Sequence, residues 1–278
     1  MSRLATSIAV TSGKGGVGKT SLAANLAFAM GAVGRRVLLL DADYGLANLD
    51  VLFGICPVKT LSDFFAGDRP LRDILIQGPC GVRLLPSSSG LSQLADLEPR
   101  YAQRLLQELQ ELRSEFDVIL IDTATGIGRP VIQLLRIAGR VVVVTCPEPT
   151  AIVDAYALIK VVATEDRDKR ADLIVNRARG PEQGQHVHNQ LDQACRSFLD
   201  RPIGYLGAIP EDASLPRSVR RQRALLQDEP RSPAGQAIGR IALALDHGLG
   251  SGRPEGTNLV NFWENVFSVG SERCVNHE

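Results

Sequence analysis

A doubly wound α/β fold with a mostly parallel sheet is predicted by three observations. Short apolar, β-branched runs recur along the chain, and amphipathic helical patterns fill the gaps between them. A glycine-rich phosphate-binding signature lies between the first run and the first helix. The runs are hydrophobic almost without interruption, so both sheet faces are expected to be covered by helices.

The predicted strands are Ile8–Thr11, Val37–Asp41, Val82–Leu85, Val118–Asp122, Val141–Cys146, Leu173–Asn176 and Ile203–Ile209. The predicted helices are Lys19–Ala32 closed by Gly34, Pro99–Leu112, Pro130–Ala138, Thr150–Val162, a stretch around Leu191–Leu199, and Pro233–Leu245. Residues 1–247 read as one domain, which suits a 278-residue chain of ordinary composition. Residues 248–256, with four glycines and a proline, read as a linker, and 257–278 as a helix and tail.

Lysine plus arginine and aspartate plus glutamate both number 31, so no global field draws the chain to nucleic acid or an anionic membrane. Five cysteines are scattered without a Cys-x-x-Cys pair, which fits neither a disulfide framework nor a zinc site. The N-terminus lacks the apolar core of a signal peptide, and no apolar run approaches the roughly 20 residues of a membrane span. A cytoplasmic location is expected.

Residues Gly13, Lys14, Gly15, Gly16, Val17, Gly18, Lys19 and Thr20 match G-x-x-x-x-G-K-[ST] between a strand and a helix. Glycines let backbone N–H groups curl around phosphate oxygens, and the positive end of the helix faces the same charge. Lys19 is expected on the β- and γ-phosphates of ATP, and the Thr20 hydroxyl on Mg²⁺. Asp41 and Asp43 end the second strand and Asp122 ends the Val118 strand, so three carboxylates lie at the phosphate side of the sheet. Asp122 suits the magnesium-holding aspartate of this nucleotide-hydrolase class, with Asp41 as a further metal candidate. Gly126 and Gly128 flank Ile127 in a segment able to sense the γ-phosphate. The strand ending at Asn176 continues Arg177-Ala178-Arg179 and lacks the aspartate that selects guanine.

The loop carries a second lysine, Lys14, that an ordinary phosphate cradle does not require. In this it resembles the deviant Walker A motif of the MinD/ParA family, which implies a P-loop nucleotide hydrolase of the SIMIBI type. The resemblance implies that Lys14 crosses to a partner's nucleotide in an ATP-bound homodimer, that Asp43 positions the attacking water, and that Asp41 helps hold its segment. It also implies that Asn176 and the loop after the last strand, at Pro210, line adenine. Three further stretches, Asp43 to Gly54, Leu85 to Gly90 and Pro147 to Lys160, resemble the flagellar-number regulators of the FlhG/FleN/YlxH type. That implies a slow ATPase switch governing flagellar number or placement, acting with a signal-recognition-type flagellar GTPase, a switch-complex protein or a transcriptional activator. The chain departs from that branch at Ala124-Thr125, where glycine then alanine is commoner, and only a few residues precede Ile8, where members carry a GTPase-stimulating extension.

Leu259, Phe262, Trp263, Val266 and Phe267 form one apolar helical face. It reads equally as a peripheral membrane contact at 259–267, at the inner face of the cell membrane, or as a helix packed on the body; its polar face carries no lysine or arginine. Arg217, Arg220, Arg221 and Arg223 form a basic patch read as a solvated helix face, so nucleic acid is not expected; a ParA-like DNA or cargo partitioner is the alternative it would serve. His186 and His188 read as a surface loop.

Overall fold

The computed structural model describes residues 5–43, 49–59, 69–86 and 115–250, together with positions 63, 64, 66, 104, 108, 111 and 112. Eight strands form one sheet: β1 (Thr6–Thr11), β2 (Val37–Ala42), β3 (Ile76–Gln77), β4 (Arg83–Leu85), β5 (Val118–Thr123), β6 (Arg140–Thr145), β7 (Ala171–Ala178) and β8 (Gly204–Pro210). Their spatial order is β3-β4-β2-β5-β1-β6-β7-β8, with every pairing parallel except β3 with β4. The described helices are α1 (Lys19–Ala32), α2 (Leu49–Leu52), α3 (Arg129–Ile137), α4 (Pro149–Glu165), α5 (Pro181–Leu199), α6 (Ser214–Arg220), α7 (Leu225–Asp228) and α8 (Pro233–Gly250).

Strand side chains alternate between faces, and here both faces are dry. Ile8, Val10, Leu39, Leu120, Val142 and Ile174 pack with Leu22, Leu26 and Met30 of α1 and Ile238 and Ile241 of α8. Their neighbours Ala9, Val141, Val143, Leu173 and Val175 face the other way, onto Val131 of α3, Leu158 and Ile159 of α4, and Val187 and Leu191 of α5. The strand order reverses at β1, which lies between β5 and β6, and that opens a crevice at the carboxyl ends. In register, Asp122 stands beside Val10 on one side and Asp41 on the other, so the acids and the loop leaving β1 converge there.

The differences from the sequence reading have local causes. Strand β3 pairs through only Ile76 and Gln77, too few residues for a period to register. Helix α5 begins ten residues before the predicted stretch: its buried stripe of Gly184, Val187, Leu191 and Cys195 is too small and sparse in its first half to read as apolar. His186 and His188 therefore lie on a helix and not in a surface loop. The His188 ring is 4.8 Å from that of Tyr205, and its Nε2 is 3.2 Å from the Ile203 carbonyl oxygen. Helix α8 continues to Gly250, into the segment read as a linker. A Cβ at Gly248 would meet the Arg140 guanidinium at 2.8 Å, so this glycine makes room for an arginine on the last turn. Of the predicted Pro99–Leu112 helix only Arg104, Glu108, Glu111 and Leu112 are described, each in helical conformation; the stretch 44–48, the rest of the linker and the 257–278 tail lie outside the described residues. No described helix is long and apolar enough to cross a membrane.

Burial also sorts the thiols. Cys195 is enclosed between α5 and the sheet, and desolvation pushes its pKa up to about 11; Cys146 is raised for the same reason. Brief alkylation with iodoacetamide near pH 8, mapped by mass spectrometry, should modify the exposed Cys56 and Cys80 while sparing Cys146 and Cys195 until denaturant is added. Rapid native modification of Cys195 would contradict this packing.

Candidate active site

The loop from Gly13 to Thr20 leaves the central strand and enters α1, whose first-turn N–H groups, from Lys19 to Ser21, have no intrahelical acceptor. Two contacts fix its path. A Cβ on Gly13 would lie 2.3 Å from the Asp154 carbonyl oxygen, so the loop begins flush against the backbone of α4. At the other end Gly18 has φ +91°, and a Cβ there would lie 2.5 Å from Asn176 Nδ2. Between them Val17 is buried and its carbonyl accepts a hydrogen bond from Asn176 Nδ2 at 2.8 Å, whereas Gly15 and Gly16 face open space. The result is a rigid ring of backbone with one open side.

Beneath the ring, Lys19 Nζ donates to Asp122 Oδ1 at 2.7 Å, with the lysine 4% and the aspartate 0% exposed. Burial raises the Asp122 pKa, and the attraction of Lys19 and its hydrogen bond work against that rise. The second carboxylate oxygen, Oδ2, is buried and has no hydrogen-bond partner among the described residues. Thr20 Oγ1 lies 3.4 Å from Lys19 Nζ. An orphaned carboxylate oxygen beside a threonine hydroxyl is a pair of hard donors, and such a set fits Mg²⁺.

Asp41 is buried and works on the backbone: Oδ1 accepts from the Asp43 N–H at 3.2 Å and Oδ2 from the Leu49 N–H at 3.3 Å. It therefore holds both ends of the segment that carries Asp43, which is half-buried. As a metal donor it would have to share oxygens already engaged. On the opposite side Gly126, with φ +90°, donates its N–H to the Ser12 carbonyl at 2.9 Å and so ties the 124–128 segment to the loop.

Beside Gly18 opens a cavity of about 780 Å³ lined by Ser21, Asn176, Arg177, Pro210, Leu215 and Val219 among others. That is ample for a purine and its ribose. Asn176 keeps one N–H and one lone pair after bonding Val17 and accepting from the Arg177 N–H at 2.9 Å. A donor beside an acceptor matches adenine N7 and its 6-amino group, whereas guanine would set its O6 against the amide oxygen.

Lys14 is partly exposed, and its ammonium is held by neighbours at the start of α4. Its Nζ donates to Glu148 Oε2 at 2.6 Å and to Thr150 Oγ1 at 3.0 Å. Glu148 was missed as a site residue; the signal available was a glutamate just after an apolar strand and before a helix-starting proline. Two of the four patch arginines are paired: Arg217 with Glu229 at 2.9 Å and Arg221 with Asp228 at 2.6 Å, while Arg220 lines the cavity.

The CobQ/CobB/MinD/ParA nucleotide-binding domain matches residues 8–226, a span holding the loop, Asp41, Asp43, Asp122 and most of the cavity lining. The chain belongs to this family. It is accordingly an ATP-binding P-loop ATPase with the MinD/ParA fold. It is 44% identical over 239 residues to the antiactivator FleN of Pseudomonas aeruginosa, covering 86% of this chain and 85% of that protein. It is 36% identical over 249 residues to the flagellum site-determining protein YlxH of Helicobacter pylori, covering 89% and 84%. Among solved structures, the septum site-determining protein MinD of Pyrococcus horikoshii complexed with Mg-ADP superposes with a TM-score of 0.70 at 26% identity, covering 89% of this chain and 98% of that one.

Two outcomes follow from the geometry. Lys19→Met strands a buried carboxylate and should lower the unfolding free energy by about 3–5 kcal/mol in urea melts without nucleotide; adding Asp122→Asn should recover part of it. The folded pKa of Asp122 lies above its unfolded value, so the single variant's deficit should shrink below the carboxylate range, where Asp122 is protonated, and grow as pH rises. Separately, Gly13→Ala should weaken binding of a fluorescent ATP analogue about 10-fold or more by pushing the loop off α4, with the far-ultraviolet circular dichroism unchanged.

Proposed function

We propose that this chain is a MgATP-dependent dimerising switch with slow ATP hydrolysis that sets flagellar number or placement. The observation that carries the reading is the division of labour between the two loop lysines. Lys19 is buried on Asp122 under the cradle, whereas Lys14 is exposed and turned to Glu148 at the rim, where a group from a second copy can meet it. Ile127 and Val153, 49% and 65% exposed, flank that rim and give a second copy an apolar surface to cover.

The chain's own residues divide the work as follows. The ring of backbone N–H groups and the α1 terminus receive the phosphates, and their negative charge draws the Lys19 ammonium from Asp122. Thr20 and Asp122 would then hold Mg²⁺, which neutralises charge on the β- and γ-phosphates when bound. Asp43, kept in place by Asp41, orients a water in line with the γ-phosphorus, and phosphate departs with ADP as the leaving group. Loss of the γ-phosphate leaves the Gly126 segment with its Ser12 bond alone and ends the shape that a partner recognises. Completion of the site by a second copy explains slow turnover in isolation.

The relatives named for flagellar control supply the biological setting. The more similar of the two is called an antiactivator, which favours a transcriptional activator over a flagellar GTPase or a switch-complex protein as the partner. Light scattering coupled to gel filtration, on an Asp43→Ala variant that stalls hydrolysis, should give a monomer with ADP and a dimer with MgATP, and Lys14→Ala should abolish the dimer. A monomer under every condition would end the switch reading. The same protein should prefer ATP to GTP in competition, and Asn176→Ala should erase that preference.

A further inference from the structure

The cavity beside Gly18 has Asn176 of β7 in its lining and α6 as a second wall, and α6 is poorly rooted in the core. Of its seven residues only Ser214 and Ser218 are buried, Leu215 packs half-buried against the core, and Pro216, Arg217, Val219 and Arg220 are exposed. A helix of about two turns does not sustain itself in water, so polar contacts must fix where this wall stands. Asp212 supplies three. Its Oδ1 accepts the Ser214 N–H at 2.8 Å, its Oδ2 the Ala234 N–H at 3.0 Å, and its backbone carbonyl the Leu215 N–H at 3.2 Å. First-turn N–H groups have no intrahelical acceptor, so one carboxylate caps α6 and α8 together. Burial works to raise the Asp212 pKa, but the N–H groups of Ala234 and Ser214 bring it below the usual carboxylate range, and the cap is an anion at neutral pH.

The two helices are unequal partners. Helix α8 is fixed without Asp212: Ala234, Ala237, Ile238 and Ile241 are buried, Ser232 Oγ accepts the Gly235 N–H at 3.1 Å, and a Cβ on Gly235 would lie 2.8 Å from the Glu229 and Pro230 carbonyl oxygens. The other polar ties of the α6 region run to the end of α7. Ser214 Oγ donates to Glu229 Oε2 at 2.8 Å, beside the Arg217 to Glu229 and Arg221 to Asp228 pairs, whose arginines are 45% and 56% exposed and contribute little. On the opposite side the Glu211 N–H donates to the Ala178 carbonyl at 2.9 Å, which fastens the loop carrying Asp212 to the end of β7, two residues past Asn176. Asp212 thus stands between the two walls. We propose that Asp212 is a positioning residue for the base: by holding α6 to α8 it fixes the width of the cavity, and with it the part of the ATP affinity that comes from adenosine rather than from the phosphates. This rests on the base lying in that cavity. Width matters because Leu215 and Val219, in the lining, attract a base only at contact distance, and a gap of about 0.5–1 Å forfeits roughly a quarter to a half of that attraction.

The test compares ATP with inorganic tripolyphosphate, each with Mg²⁺, in competition against a fluorescent ATP analogue. Both probes use the phosphate cradle, and only ATP uses the cavity. Asp212→Ala should weaken ATP about five- to ten-fold, the scale of one helix cap, and leave tripolyphosphate unchanged. Asp212→Asn should recover part of the loss, since its single amide oxygen caps one helix and its amino group faces the other; should Asp212→Ala unfold, Asp212→Asn carries the same comparison. By hydrogen exchange, residues 214–220 should lose protection in Asp212→Ala while α8 keeps its own. A loss shared equally by ATP and tripolyphosphate would mark a residue that merely stabilises the fold and would overturn the proposal. Asn176→Ala in the same assay separates the two readings. If it narrows the gap between ATP and tripolyphosphate and Asp212→Ala does not, the cavity holds the base but Asp212 does not set it. If neither variant narrows the gap, the base lies elsewhere and the proposal falls with that reading.

Discussion

The site is organised around one buried pair, Lys19 with Asp122. Neither residue is tolerable alone in that position: each charge would lie desolvated under a layer of backbone. Together they leave one carboxylate oxygen, Oδ2, buried without a hydrogen-bond partner among the described residues. It marks an arrangement in which the lysine has a weaker claim on the aspartate than phosphate has on the lysine, and the aspartate retains capacity for a cation. The glycine ring, the α1 terminus and the parallel order that sets β1 beside β5 all serve to bring these two side chains under one opening.

Around that floor the chain assembles walls from distant segments. The 124–128 segment is tied to Ser12, α4 abuts Gly13, and the end of β7 clamps Val17 through Asn176. The cavity beside Gly18 is closed by α6 and α8, and Asp212 joins them by accepting the Ser214 and Ala234 N–H groups at 2.8 and 3.0 Å. Each wall therefore meets the loop at a different point: Gly126 at Ser12, α4 at Gly13 and Asn176 at Val17. A loop held from three sides transmits occupancy to the surface because it has few ways to yield.

Much of this was legible in sequence because it is local. The strand-loop-helix signature spans consecutive residues, α1 runs from Lys19 to Ala32 as its pattern predicts, and acids that follow apolar strands must lie at the carboxyl edge of a parallel sheet. What was hidden depends on packing between segments far apart in sequence. Nothing in the spacing reveals that Glu148 lies 2.6 Å from Lys14, 134 residues away, because that distance follows from the close approach of α4 to Gly13. Helices α2 and α7 were missed since four residues do not complete two helical turns of pattern, and α6 was read only through its arginine face, without bounds. The flagellar setting came from resemblance alone, and no distance in the site encodes it.

The most direct test of the account is a crystal structure of the chain with Mg²⁺ and a non-hydrolysable ATP analogue. The account predicts phosphates within the 13–20 ring, Lys19 Nζ moved from Asp122 onto phosphate oxygens, the metal beside Thr20 and Asp122, and adenine on Asn176. A nucleotide bound elsewhere, with the Lys19 to Asp122 ion pair intact at its present length, would contradict it.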